Sequence, residues 1–170
     1  MNSIKRFALI TVAALTVASS LSAAQNSAST LANATAKIIA PITLTKTADL
    51  NFGDVVPSGV AGTVTVTPAA GRTSAGGASL GNGAAVTAAA FTVGGQGSAT
   101  YAITLPAVAS TLTAGANTMT VDTFTSNPSG TGLLSAGGSQ ALTVGANLNV
   151  GVAQATGTYV GTFTVIVAYN

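Results

Sequence analysis

Leu142-Thr143-Val144-Gly145-Ala146-Asn147-Leu148-Asn149-Val150-Gly151-Val152 puts an apolar side chain at every second position and Thr, Asn or Gly between them. Successive side chains of a β-strand point to opposite faces. Strict alternation over this length therefore predicts a long strand or hairpin with one buried face. The same period governs the segment that follows. Between Thr158 and Tyr169, the residues Tyr159, Gly161, Phe163, Val165, Val167 and Tyr169 share one face, and Val160, Thr162, Thr164, Ile166 and Ala168 share the other.

The period of two also runs backwards along the chain. Ala36, Ile38, Ala40, Ile42 and Leu44 fall on one face of a predicted strand, and Lys37, Ile39, Pro41, Thr43 and Thr45 on the other. Pro41 has no amide hydrogen, which places this strand at a sheet edge or breaks it there. Leu50–Pro57 reads as a short strand with a turn, and Gly62–Pro68 as a clean alternating strand. Ala90–Val93, Thr100–Leu105 and Thr118–Phe124 read as three more. Gly71–Ala85 carries five glycines and almost no large side chain, so it reads as a loop, as does the stretch through Pro128 and Gly132. Thr and Val dominate the periodic segments, and their branched β-carbons suit a pleated surface. No stretch after residue 24 combines a helical period with caps. About seven to nine short strands with Gly-rich turns predict an all-β, two-sheet sandwich.

The first residues have a different organisation. Lys5-Arg6 precede an apolar run, Phe7–Val17, and then the small residues Ala18–Ala24. This is the order of a secretory signal peptide. The run of about 11 residues is short of the about 20 that cross a bilayer. Cleavage is expected after Ala24, with Ser22 and Ala24 as the small residues. The expected organisation is a leader over residues 1–24, a small polar arm over 25–35 and one sandwich domain over 36–170, with no transmembrane segment after processing.

The chain has five Lys+Arg against three Asp+Glu. Losing Lys5 and Arg6 leaves Lys37, Lys46 and Arg72 against Asp49, Asp54 and Asp122, a neutral balance with no basic patch for nucleic acid. Charged residues make up 5% of the sequence, against about 25% in ordinary domains. A surface this poor in charge does little to resist self-association.

The residues that carry most chemistry are missing. There is no His, no Cys and no Glu, which removes Ser–His triads, thiol nucleophiles, disulfides and zinc sites. Asp49 and Asp54 are the only close carboxylates. Asp49-Leu50-Asn51-Phe52-Gly53-Asp54 begins like a calcium loop, but its glycine falls one place early and its twelfth position is Val60 rather than Glu. The two aspartates are read instead as flanking a turn and accepting backbone amides. Gly71–Gly77 lacks the Gly-Lys-Ser/Thr ending of a phosphate loop, and Gly94-Gly95-Gln96-Gly97 opens no helix. Tyr101, Tyr159 and Tyr169 read as core or rim residues rather than a sugar platform. Asn33-Ala34-Thr35 matches a glycosylation triplet of a kind common in Thr-rich chains. No enzyme and no cofactor is expected.

Ile38-Ile39-Ala40-Pro41-Ile42-Thr43-Leu44, Leu50-Asn51-Phe52-Gly53, Gly62–Val66, Ala90–Gly94 and Gly157-Thr158-Tyr159-Val160-Gly161-Thr162-Phe163-Thr164-Val165 occur in that order. Together they resemble an exported bacterial family known only as a domain of unknown function (DUF4402-type). The terminal pattern is also similar to that of chaperone–usher and spore-coat-U-like pilins. The resemblance implies an immunoglobulin-like sandwich that lacks a strand, filled first by a periplasmic chaperone and then, at an outer-membrane usher, by the arm of a sister subunit. Carried onto this chain, it implies an assembly strand bearing Tyr159, Gly161, Phe163, Val165, Val167 and Tyr169, and a donor arm bearing Leu31, Ala32, Ala34 and Ala36. The expected function is a structural subunit of a surface fibre or pilus; the competing expectation is a monomeric exported adhesin or ligand-binding sandwich.

Overall fold

The computed structural model describes residues 27–170, so the expected leader and the first two residues of the expected arm lie outside the described residues. Residues 27–36 carry no helix or strand and are solvent-exposed. Lys37–Asn170 forms a separate compact unit, and it is all-β. Its strands are β1 (Thr43–Ala48), β2 (Val55–Val56), β3 (Gly62–Val66), β4 (Arg72–Gly76), β5 (Ser79–Leu80), β6 (Ala89–Gly94), β7 (Thr100–Thr104), β8 (Ser110–Ala114), β9 (Asn117–Asn127), β10 (Thr131–Leu133), β11 (Ser139–Val150) and β12 (Ile166–Tyr169). Nine of the twelve have four residues or more; the other three are short pairings that no sequence period would mark.

The alternating stretch becomes β11, and its apolar face is the floor of the core. Leu142, Val144, Ala146, Leu148 and Val150 are all 5% exposed or less. Each fully buried Leu or Val contributes about 1.5–3 kcal/mol. One edge of β11 pairs with β9. The other is shared: Ser139–Val144 pair with β6, and Ala146–Val150 pair with β3. Gly145 stands where the partner changes, and a side chain there would run into the backbone between Val66 and Pro68. β1 extends the sheet beyond β6, β4 beyond β3, and β8 beyond β9. A second antiparallel sheet, β10-β7-β12, and a ribbon, β2-β5, complete the strands.

The core has two parts. Val93, Leu142 and Val144 of the large sheet meet Tyr101 and Ile103 of the small sheet and Leu134, which gives a two-layer sandwich. Val64, Val66, Met119, Val121, Leu148 and Val150 form the other part. Phe52, Val55, Leu112 and Tyr159 pack against it, and no strand of the small sheet reaches it.

β9 stays in register with the core on both parts only because it contains a bulge. Its pairing with β11 slips between Gly145 and Asn147, and Thr123 adopts φ of 50°. Met119 and Val121 face inward before the slip; Phe124 turns inward after it. Phe124 then packs on Phe163 with ring centroids 4.9 Å apart. An extra residue in one strand shifts the side-chain alternation by one.

Several expectations are corrected. The strand expected from Ala36 begins at Thr43, because its partner β6 ends at Gly94, opposite Thr43. Ile38 is accordingly 95% exposed rather than buried on a sheet face. Pro41 lies just outside the edge strand β1. Val152 is 63% exposed: β11 loses its partners after Val150, and the chain turns at Ala153, φ 47°. The expected loops contain β4, β5 and β10, held by backbone pairing rather than by apolar side chains, and β8 also forms. The long terminal strand is regular only over Ile166–Tyr169.

Two measurements test these contacts. Phe124→Ala removes a ring shared by both parts of the core and is expected to cost about 3 kcal/mol in urea unfolding, whereas Thr123→Gly relieves the left-handed backbone and is expected to gain about 1 kcal/mol. The Tyr101 phenol donates to Gln140 Oε1 at 2.8 Å, a side chain on Gly132 would overlap its ring, and burial pushes its pKa above the ordinary value. An unfolded chain loses this proton above about pH 10 while the folded chain keeps it, so the contribution is full below pH ~10 and is lost as pH rises further. Tyr101→Phe is expected to lower stability at neutral pH by about 1 kcal/mol and to flatten its fall above pH ~10.

Candidate functional site

Where the small sheet ends, the second layer is continued by two irregular segments with a groove between them. Its volume is about 960 Å³. One wall is the stretch from Ala48 to Val55, the other is Gln154–Phe163, and the floor includes Leu112, Met119, Val121, Leu148 and Val150. The Ala153 amide donates to the Ser58 carbonyl at 2.8 Å and ties together the chain segments that lead into the two walls.

The first wall is built by the Asn-Phe-Gly segment. Asn51 pairs with Thr87 in an isolated bridge, and its Oδ1 accepts the Gly53 amide at 2.8 Å. Gly53 adopts φ of 70°, which Gly tolerates and other residues rarely do. The turn drives Phe52 into the core, 8% exposed. Arg72 then locks the wall from behind, its guanidinium donating to the carbonyls of Phe52 at 2.9 Å, Asp54 at 3.2 Å and Gly81 at 2.6 Å. The expectation that the Asp49 and Asp54 carboxylates cap this turn is therefore corrected: the Asn51 amide group does so, with the shorter reach to the second amide on. Asp49 pairs with Lys46 at 2.5 Å.

The second wall carries half of the expected assembly strand. Tyr159 packs on the groove part of the core, and Phe163, Val165, Val167 and Tyr169 on the other part. Gly161 has its Cα so close to Thr111 and Leu112 of β8 that a side chain would overlap them. Between Thr158 and Val165 only Val160 is paired, in an isolated bridge with Thr113. Both backbone groups of Val160 serve it, at 3.0 and 2.8 Å. The backbone groups of Tyr159, Gly161 and Phe163 have no backbone partner among the described residues.

The three tyrosines end in hydrogen bonds. Tyr159 donates to the Ala155 carbonyl at 2.8 Å and accepts from Gln154 at 2.7 Å. Tyr169 accepts the Gln96 amide at 2.6 Å and donates to the Ala40 carbonyl at 2.8 Å. Tyr101 is wholly buried and Tyr159 and Tyr169 half-buried, so they do not form one platform. The expected donor-arm residues Leu31, Ala32, Ala34 and Ala36 lie in the exposed segment without strand. Sequence reading missed Leu112, Phe91 and Asp54 as groove residues. Leu112 had a signal, since Ser110–Ala114 alternates and is joined to the next alternating run by Gly115-Ala116, the two-residue linkage of a hairpin.

Among the described residues, no group of three or more His, Cys, Asp or Glu side chains is placed to hold a metal, and no helix is long and apolar enough to cross a membrane. The groove offers apolar surface, an unpaired backbone edge and a few charges at its lip.

No curated protein and no solved structure matches the chain. A family model does match, described as a domain of unknown function (DUF4402), over residues 42–169. That span begins just before β1 and ends with β12, so it takes in both groove walls and the Asn-Phe-Gly and Gly-x-Tyr-x-Gly-x-Phe-x-Val segments, and the chain belongs to the DUF4402 family of domains of unknown function.

Proposed function

We propose that this chain is a non-enzymatic structural subunit of an exported surface fibre or pilus, joined to its neighbours by β-strand addition. The observation that carries the reading is the unfinished second layer. One part of the core is covered by a true sheet, and the other by two separated walls, one of which has an unpaired backbone edge. An extended segment laid between them gains main-chain hydrogen bonds and apolar contacts together, which is the physics of strand addition. An open edge of this kind is ordinarily an aggregation hazard; here it is the joint.

Composition supports the same reading. A chain with 5% charged residues, neutral once the expected leader is lost, and without His, Cys or Glu is suited to scaffolding and to self-association. The expected leader routes it through the periplasm to the cell surface. The resemblance to pilins supplies the partners in transit, a periplasmic chaperone that shields the groove and an outer-membrane usher where subunits exchange, with sister subunits or further copies of the chain as the lasting neighbours. The second reading, a monomeric exported adhesin or ligand-binding sandwich, rests on the groove volume of about 960 Å³, within the range of about 300–1,000 Å³ usual for small-molecule sites.

Purified chain beginning at Gln25 is expected to form filaments in negative-stain electron microscopy and fast-sedimenting species in the ultracentrifuge. Leu112→Trp, which fills the groove from its floor, is expected to shorten or abolish them while leaving the β-type circular dichroism unchanged. A monodisperse monomer at every concentration overturns the fibre reading, and a small molecule retained in native mass spectrometry favours the second.

A further inference from the structure

Gly81-Asn82-Gly83-Ala84 follows β5 and wraps the side chain of Asp54. The Gly81 amide donates to the Asp54 carbonyl at 2.8 Å. A side chain on Gly81 would overlap the Asp54 Cβ, and one on Gly83 would overlap the Asp54 carboxylate. The two glycines therefore let this carboxylate lie against the main chain of Gly83. They also leave Asn82 between two residues without side chains, in an exposed bend.

An Asn-Gly pair is chemically labile. The backbone nitrogen of the residue after an asparagine can attack the side-chain carbonyl carbon, and a glycine there puts no Cβ in the way and gives the backbone the freedom the ring needs. The other asparagines from Asn51 to Asn149 are guarded. Asn51 Oδ1 accepts the Gly53 amide, and the buried Phe52 follows it. Asn117 precedes the β-branched Thr118, and both are paired with β8. Asn127 precedes Pro128, which has no amide hydrogen. Asn147 accepts from Thr65, and Asn149 donates to Thr120 and Asp122, both from within β11. Asn82 has no such guard: it is exposed, and the Gly83 amide has no backbone partner among the described residues.

We infer that Asn82-Gly83 is a self-modification site whose conversion loosens the first wall of the groove. The Gly83 nitrogen forms a bond to Asn82 Cγ. The side-chain nitrogen leaves as ammonia, carrying the proton that the Gly83 amide gives up. Water then opens the cyclic imide from either side, to aspartate or, with the main chain rerouted through Cγ, to isoaspartate. Water is the only co-reactant.

Both products set a new carboxylate next to Gly83, where the Asp54 carboxylate already lies. Like charges repel, and the isoaspartyl main chain is longer by a methylene, so both changes push the loop off Asp54. The loop belongs to the wall. Arg72 holds the Gly81 carbonyl together with those of Phe52 and Asp54, and Asp54 and Ala84 line the groove. Moving Gly81 away undoes its bonds to Asp54 and Arg72 and frees the turn at Phe52. The inference stands whether the groove takes a strand or a small molecule.

The chain from Gln25 and a synthetic peptide of residues 79–87 are aged side by side in mildly alkaline buffer. Ammonia release and the amide-to-acid mass gain follow the reaction, electron-transfer fragmentation locates it, and isoaspartyl methyltransferase labelling separates the two products. The chain is expected to convert at residue 82 with Asn51, Asn147 and Asn149 intact. Gly83→Ala should slow the reaction about tenfold, and Asn82→Gln, a methylene too long for the ring, should stay unconverted. Hydrogen exchange at Phe52–Asp54 should quicken about threefold or more on ageing, but not in Asn82→Gln. Asp54→Asn converts as the parent does, and its gain in exchange should be smaller, since no charge faces the new one. Asn82 intact in the folded chain after the peptide has converted would overturn the site. Conversion with exchange at the wall unchanged would overturn its effect on the groove, and an equal gain in Asp54→Asn would overturn the part given to charge.

Discussion

β11 lends one edge to β9 and divides the other between β6 and β3, so three stretches of chain that are distant in sequence are hydrogen-bonded through a single strand. Its inward side chains are the floor for both parts of the core. The constraint on this strand is severe, because the side-chain period is two and a slip of one residue would carry every buried Leu and Val to the solvent face. The rest of the architecture follows from meeting that constraint. Gly145 lets the partners change without a collision, the bulge at Thr123 returns Phe124 to the interior, and the outer strands β1, β4 and β8 need little apolar content because they are held through neighbours already fixed.

The two parts of the core are finished differently. Over Leu142 and Val144 a second sheet brings Tyr101 and Ile103 into contact with the first. Over Leu148 and Val150 the cover is made of turns, and each turn is held by polar atoms: Asn51 and Arg72 on one wall, Gln154 and Tyr159 on the other. Carbonyls and amides that would be paired in a sheet are there pinned singly, by side chains. This keeps the walls in place without a strand between them.

Most of the large sheet was legible because its strands are half-buried, and half-burial writes itself as alternation. β3, β6, β9 and β11 all carry it, as does β7 of the small sheet. β4 and β5 do not: Arg72-Thr73-Ser74-Ala75-Gly76 is held by backbone pairing with β3, which depends on no particular side chain. The error at Ala36–Ile42 has the opposite cause. Its pattern is real, but a strand needs a partner, and β6 ends opposite Thr43. In the terminal segment the faces were read correctly and the pairing was not, since Tyr159, Phe163, Val165, Val167 and Tyr169 turn toward the core although only the last four residues before Asn170 are regular. The groove itself could not be read from sequence. It is a gap between Leu50–Val55 and Gln154–Phe163, about a hundred residues apart, and a void has no composition.

Contacts between residues far apart in sequence are costly to close and slow the folding of β-rich chains. The position of β11 carries that cost to its limit. β3, β6 and β9 have no common partner until Val150 has been made, more than eighty residues after the end of β3. A nascent chain shorter than this has local hairpins, such as β3-β4 and β8-β9, but nothing to join them. Commitment to the native state is therefore a late event, and until then the polypeptide remains loose enough to thread through a narrow passage.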